Sequence, residues 1–157
     1  MPSLHDHLQT RLASAYRRLQ ESLAGLSPDD AVIGGRDNWR RYRFGVGLNG
    51  SIEGIVRHVA TWKHAAAEGL LQGNFPEAES VLPSELTWDA LLLALAHGQQ
   101  RLASALDQLS EEELGASVSW EGQAMPRHLL LAHMIEHDQY HTGQINLLRQ
   151  QFGHDLE

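Results

Sequence analysis

His133-Met134-Ile135-Glu136-His137-Asp138-Gln139-Tyr140-His141 sets an imidazole at every fourth position of a segment that reads as helix. At about 100° per residue, each step of four turns the side chain by only about 40°, so the three rings share one stripe. Two such rings a turn apart can hold one divalent metal ion, by the geometry that lets the paired histidines of helical zinc motifs converge. The spacing alone also fits a solvated polar stripe, or histidines hydrogen-bonded into a helical core. What favours a site is His58, far upstream in a second amphipathic segment, because a metal centre between packed helices draws ligands from facing helices. His133 shares the stripe but lies about 12 Å from His141 along the axis at about 1.5 Å per residue. It is expected behind a ligand or in the core.

The helix carrying this run starts near Pro126, a residue favoured at the first helical position, and continues through Leu129, Leu130, Ala132, Ile145, Leu148 and Phe152. Gly143 inside it costs about 1 kcal/mol relative to alanine, which hints at close packing or a functional approach. Working outward, Leu4, Leu8, Leu12, Ala15, Leu19, Leu23 and Leu26 recur at steps of three or four and predict a first helix, which Ser27-Pro28-Asp29-Asp30 ends, leaving room for a short turn. A second helix opens at Ser51, whose hydroxyl can cap it, buries Ile52, Ile55, Val56, Val59, Trp62 and Ala66, and ends at Gln72-Gly73. His58 falls at the margin of that buried face, compatible with pointing into a cleft. A third helix is expected from about Ser84 to Leu109, with Trp88 near its start and Leu86, Ala90, Leu93, Ala94, Leu102, Ala105, Leu106 and Leu109 inward. Ser110-Glu111-Glu112-Glu113 reads as a short turn. Strand patterns and internal repeats are absent, so the expectation is all-α: a four-helix bundle.

At 157 residues the chain is the size of one compact domain, expected to span 1–157. Hydrophobic residues make up 42% and charged ones 20%, and no stretch approaches the roughly 20 continuous apolar residues of a spanning helix. No membrane association is expected. The start, MPSLHDHLQT, lacks the charged-then-apolar pattern of a signal peptide, so a cytoplasmic location is the default expectation. There is no cysteine, which excludes disulfides, thiolate ligands and a cysteine nucleophile, so any metal rests on nitrogen and oxygen. A net charge of -8, from 12 basic and 20 acidic residues, argues against nucleic acid as a partner. Lys63 is the sole lysine, and Arg36, Arg40, Arg41 and Arg43 crowd into eight positions beside Trp39, Tyr42 and Phe44. Such a cluster suits recognition of a small anion, or it pairs with surplus carboxylates.

Of the ten histidines, His5, His7 and His154 lie near the ends, His64 and His128 have no spacing partner, and His97 sits mid-helix beside Gly98. Gln144 and Tyr140 share the face of His137 and His141: either they hydrogen-bond near a ligand, or they make ordinary helix contacts. Asp138 and Glu136 either orient an imidazole from outside or are solvated.

The run His137-Asp138-Gln139-Tyr140-His141-Thr142-Gly143-Gln144-Ile145, the upstream Ile55-Val56-Arg57-His58-Val59 and the tryptophan near the start of the third helix resemble the DinB superfamily of metal-binding four-helix bundles, over essentially the whole chain. That resemblance implies one divalent metal, commonly zinc or nickel, held by His58, His137 and His141 with positions left open to water or substrate. It further implies an S-transferase or isomerase using a low-molecular-weight thiol such as bacillithiol, mycothiol or glutathione, acting on a small-molecule substrate, and it points to a homodimer. With no cysteine in the chain, the thiol is borrowed and a metal is a direct means of activating it. Gln144 is then placed to position the water or thiol, and Arg36, Arg40, Arg41 or Arg43 to hold a carboxylate of the cofactor. The rival expectation is a non-catalytic metal-binding or stress-response protein whose metal only stabilises the bundle.

Overall fold

Side-chain caps decide where the helices begin. The computed structural model describes residues 2–32, 50–77, 81–120 and 122–151. Ser3 opens α1 (Leu4–Leu23): its hydroxyl accepts from the Asp6 amide, and Asp6 reaches back to the Ser3 amide. Such a reciprocal cap satisfies two of the amide donors that a helix start leaves unpaired. The segment expected as a turn forms one short helix, α2 (Pro28–Val32), with Ser27 and Asp30 bonded across its start. Ser51 caps α3 (Ile52–Gln72) by accepting from Gly54 N at 3.1 Å, and Gly73 ends it at φ 82°, a left-handed conformation that costs glycine no Cβ clash. Thr87 caps α4 (Trp88–Asp107), and Ser110 caps α5 (Glu111–Gly115) with a reciprocal bond to Glu113.

The structure corrects the expectation that strands are absent. A β-hairpin is present: β1 (Ser117–Trp120) pairs antiparallel with β2 (Gln123–Pro126), Val118 opposite Met125 and Trp120 opposite Gln123. Pro126 closes β2, so the last helix, α6 (Arg127–Gln151), starts one residue later than expected. The third long helix is also shorter than expected, and its first half is rotated. It begins at Trp88 and buries Trp88, Leu91, Leu95, Gly98 and Gln99 where Leu93, expected inward, is 64% exposed, whereas Leu102, Ala105, Leu106 and Leu109 are buried as expected.

The four long helices pack with α3 most extensively on α4 and α1 on α6, and α3 also meets α6. Their apolar side chains form two clusters. The first takes Leu8, Leu12 and Ala15 of α1, Ala66 and Leu70 of α3, Leu102 and Leu106 of α4, and Leu130, Leu131 and Met134 of α6. The second takes Leu19 and Leu23, then Ile52, Ile55, Val56 and Val59, then Trp88, Leu91 and Leu95, then Ile145 and Leu148. The chain order within each cluster means that α1 and α6 run one way and α3 and α4 the other, which requires the long connection between Gly73 and Thr87. Fully burying one such leucine or isoleucine contributes about 1.5–3 kcal/mol.

Arginines tie helix ends together. Arg149 of α6 donates to the carbonyls of Ser22 and Ala24 at 2.9 and 2.7 Å, and Arg127 Nε donates to Leu70 O at 2.8 Å. Both satisfy carbonyls that a helix C-terminus leaves unpaired. No helix among the described residues is long and apolar enough to cross a membrane.

Candidate metal centre

On α3, His58 lies one residue before Val59, whose side chain is wholly buried, and this offset turns the ring out of the core toward α6. On α6, the stripe of Met134, Asp138, His141 and Ile145 faces inward, and His137 stands at its edge. The two elements bring three imidazoles together: His58 Nε2 is 2.9 Å from His137 Nε2, and His137 Nε2 is 3.2 Å from His141 Nε2. All three ligand nitrogens fall within 4.8 Å of one another. Ligand atoms on a tetrahedral ion with bonds of about 2.0–2.1 Å stand about 3.3 Å apart, so the spacing fits such a centre.

The proton inventory points the same way. His141 Nδ1 is 2.7 Å from Gln144 Oε1, which accepts the ring N–H, and the Gln144 amide donates to the Tyr140 hydroxyl at 3.1 Å. The His141 proton is thereby held at Nδ1, and Nε2 presents a bare lone pair to the cluster. His137 Nε2, facing two nitrogens, carries one proton or none, so at least one of its contacts lacks a bridging proton unless a cation lies between. Burial pushes the His137 imidazole down to about 2, helped by the neighbouring His141, His58 and His133 and by Lys63. Burial likewise pushes His141 down to about 4, with the Gln144 bond opposing, and lowers His58. At neutral pH all three rings are neutral, the state a metal requires. Among the described residues the donors are three neutral nitrogens with no carboxylate, a set suited to zinc, nickel or copper.

Behind the rings lies a buried polar layer, with one side chain from each long helix. Lys63 Nζ of α3 donates to Asp138 Oδ2 of α6 at 2.6 Å and to Gln99 Oε1 of α4 at 2.7 Å, and sits 5.4 Å from the ring centroid of Tyr16 on α1. Lys63 and Asp138 are each about 1% exposed. Burial raises the Asp138 carboxyl and lowers the Lys63 ammonium, while their mutual attraction pulls each back. This layer separates the two apolar clusters.

In front of the rings a cleft of about 230 Å³ is lined by His58, Trp62, Trp120, His133, Met134 and His137. Trp120 comes from the hairpin, so the strand pair absent from the sequence expectation supplies a wall of the site.

The expected ligands His58, His137 and His141 meet. Gln144 is 8% exposed and bonded to His141, and Tyr140 is 64% exposed with its hydroxyl on Gln144. His133 is not a core residue: it is exposed at the cleft mouth, its ring 6.3 Å from that of His137 and 5.8 Å from that of Trp120. Asp138 neither orients an imidazole nor meets solvent, since Lys63 holds it in the core. Gly143 is exposed, and a Cβ there would meet nothing within 4 Å, so the expected close approach does not occur. Arg36, Arg40, Arg41 and Arg43 lie outside the described residues. Three of the six discounted histidines bond to carbonyls: His5 to Leu106, His64 to Ala94 and His128 to Leu114.

Lys63, Gln99 and Asp138 form a buried layer that sequence reasoning did not bring together, although each left a signal. Each stands where helical spacing calls for an apolar residue, Lys63 between Val59 and Ala66, Gln99 between Leu95 and Leu102, Asp138 between Met134 and Ile145.

No curated protein and no solved structure matches the chain. The model of the DinB family matches residues 1–157. That match covers the whole sequence, and the chain belongs to the DinB family.

Proposed function

We propose that the protein is a divalent-metal enzyme that conjugates a low-molecular-weight thiol to a small electrophile. The observation that carries this reading is the convergence of the His58, His137 and His141 Nε2 atoms, with His58 and His137 lining a cleft. The three imidazoles would hold zinc or nickel, and the ion, when bound, would lower the pKa of a thiol sulfur so that thiolate exists at neutral pH. His58 and His137 contribute their ring nitrogens from opposite helices. Gln144 acts as a positioning residue: by accepting the Nδ1 proton of His141 it fixes the tautomer that leaves Nε2 free, as carboxylate and carbonyl partners do for metal-bound histidines. Tyr140 in turn holds the Gln144 amide. The walls of Trp62 and Trp120 keep water from the front of the rings, and His133 stands at the entrance. Arg36, Arg40, Arg41 and Arg43 are proposed to hold a carboxylate of the thiol cofactor, on their clustering in sequence alone.

The four long helices are read as one four-helix bundle and the chain as a single cytoplasmic domain. A homodimer is supported by Leu129, Tyr140 and Leu147, which are 49%, 64% and 40% exposed and fall on one face of α6. A monomer mass by light scattering at micromolar concentration would count against the dimer.

Elemental analysis of the purified protein and of His137→Ala tests the centre, with about one metal ion per chain expected in the first and little in the second. Conjugation of monochlorobimane with bacillithiol, mycothiol and glutathione tests the chemistry. Rates no higher than those of His141→Ala with every thiol would reject the transferase.

A further inference from the structure

Trp62 and Trp120, which line the cleft in front of the histidines, border more than that cleft. A second hollow, of about 360 Å³, is lined by Trp62, Asn74, Phe75, Ser119, Trp120 and Gly122, together with Pro76 and Glu77. Trp62 and Trp120 line both spaces. The rings form a continuous series: Phe75 meets Trp120 edge-on at 4.6 Å, Trp120 meets Trp62 at 5.0 Å and a tilt of 51°, and Trp62 meets His58 edge-on at 6.2 Å. An aromatic path thus leads from the hairpin to the ring nitrogens. The second hollow alone is within the size range of small-molecule pockets, about 300–1,000 Å³.

The wall is held by specific backbone features. Gly69 of α3 has no Cβ, and one added there would meet the Phe75 ring at 2.5 Å, so only glycine leaves that ring its place. Gly122 turns the hairpin at φ 79°, and the Ser119 amide bonds to Gly73 O at 3.4 Å, fastening β1 to the end of α3. Trp120 is thereby fixed between the two spaces.

The chemistry of the lining defines what fits. Among the described residues its polar groups are the Asn74 amide, the Ser119 hydroxyl, the Glu77 carboxylate and the indole N–H groups of Trp62 and Trp120, and none of them is a lysine, arginine or histidine. Among the described residues an anionic group would meet no counter-charge there, whereas a flat uncharged ring would find tilted and edge-on aromatic faces, the arrangement that aromatic groups favour. We infer that this hollow is a subsite for the planar, uncharged aromatic portion of the electrophilic substrate, whose reactive carbon then lies in the His58–His137 cleft. The inference rests on the proposed transferase reading for the word electrophile, but the subsite itself is a binding property.

Equilibrium dialysis of the full chain, with metal bound, measures affinity for three probes: 1-naphthol, its fully saturated analogue decahydro-1-naphthol, and naphthalene-1-sulfonate. Naphthol should bind about three- to tenfold more tightly than either of the others, and Trp120→Leu and Trp62→Leu should each erase most of that preference. Ser119 is exposed on β1, so Ser119→Arg should fold normally and shift the preference toward the sulfonate by placing a cation at the rim. Equal affinity for flat and saturated probes, or an unchanged preference in both Ser119→Arg and Trp120→Leu, would overturn the subsite. Metal content measured on the same samples separates the two ideas: a protein that binds metal but does not discriminate the probes refutes only the subsite. One that discriminates them but holds no metal refutes only the metal centre.

Discussion

Lys63 and Asp138 meet at 2.6 Å where neither touches water, and the cost of that burial sets what their removal does. An ion pair in a core repays its desolvation only in part, whereas deleting one member strands the other charge. Lys63→Met should therefore destabilise the protein by about 3–5 kcal/mol, and Lys63→Met combined with Asp138→Leu should recover most of that loss. Denaturant unfolding of the two variants checks this, and a double variant no more stable than the single one would contradict it. Asp138 Oδ1 has no partner among the described residues. The imidazoles make a separate contribution with a definite sign. An unfolded histidine takes up its proton near 6.5, but folded His141 does so only near about 4, so between those values the unfolded chain binds more protons and stability falls on acidification. His137, at about 2, acts in the same sense over a wider window. Asp138 acts in the opposite sense, because its raised carboxyl pKa means that the folded chain holds the proton above 3.8. Thermal unfolding of metal-free protein from pH 6.5 to 4 should show a falling Tm, and His141→Gln should flatten the fall while leaving the Asp138 contribution in place.

At the scale of elements, two glycines in long helices should respond oppositely to alanine. Gly98 is buried where α4 crosses α3, and a Cβ there would lie 2.9 Å from His64 Cδ2, 3.0 Å from Lys63 Cβ and 3.3 Å from Ala60 O. A backbone oxygen and a Cβ cannot move aside cheaply, so Gly98→Ala should destabilise despite the gain in helix propensity, by about 1–3 kcal/mol. Gly143→Ala meets nothing and should stabilise by up to about 1 kcal/mol with metal content unchanged. Chemical denaturation of the two variants should give shifts of opposite sign. These positions also mark what the sequence could and could not reveal. The four-residue recurrence of His137 and His141 was legible because identical groups one turn apart leave one reading of the face, and Ser51 marked the start of α3. The phase of the first half of α4 was not legible, since Ala90-Leu91-Leu92-Leu93-Ala94-Leu95-Ala96 is apolar on every side, whereas Leu102, Ala105 and Leu106 were read inward and are buried. The hairpin was hidden for a different reason. Each strand has four residues, and only Val118 and Trp120 alternate inward, too few repeats to establish a period of two.

For the whole molecule, the question is whether the metal holds the fold together or uses a fold already formed. The two apolar clusters and the Lys63 layer between them are complete without the imidazoles, of which only His141 is deeply buried. A bound ion still stabilises by mass action, by about 2.7 kcal/mol at a free concentration a hundred times its Kd, and about 1 kcal/mol moves Tm by roughly 2–4 °C in a chain of this size. Chelation should therefore lower Tm by roughly 5–11 °C while the helical circular dichroism at 25 °C stays unchanged. A metal that only held the fold together would behave as structural zinc does, with helix content lost on chelation at 25 °C. That result would favour the non-catalytic alternative. Adding a small thiol to cobalt-substituted protein under anaerobic conditions extends the test, because a centre with three protein nitrogens has room for a sulfur ligand and its absorption should change on binding. A spectrum indifferent to every thiol, in a protein whose fold survives chelation, would leave an accessible metal site with no role for sulfur and would reject the transferase at its first step.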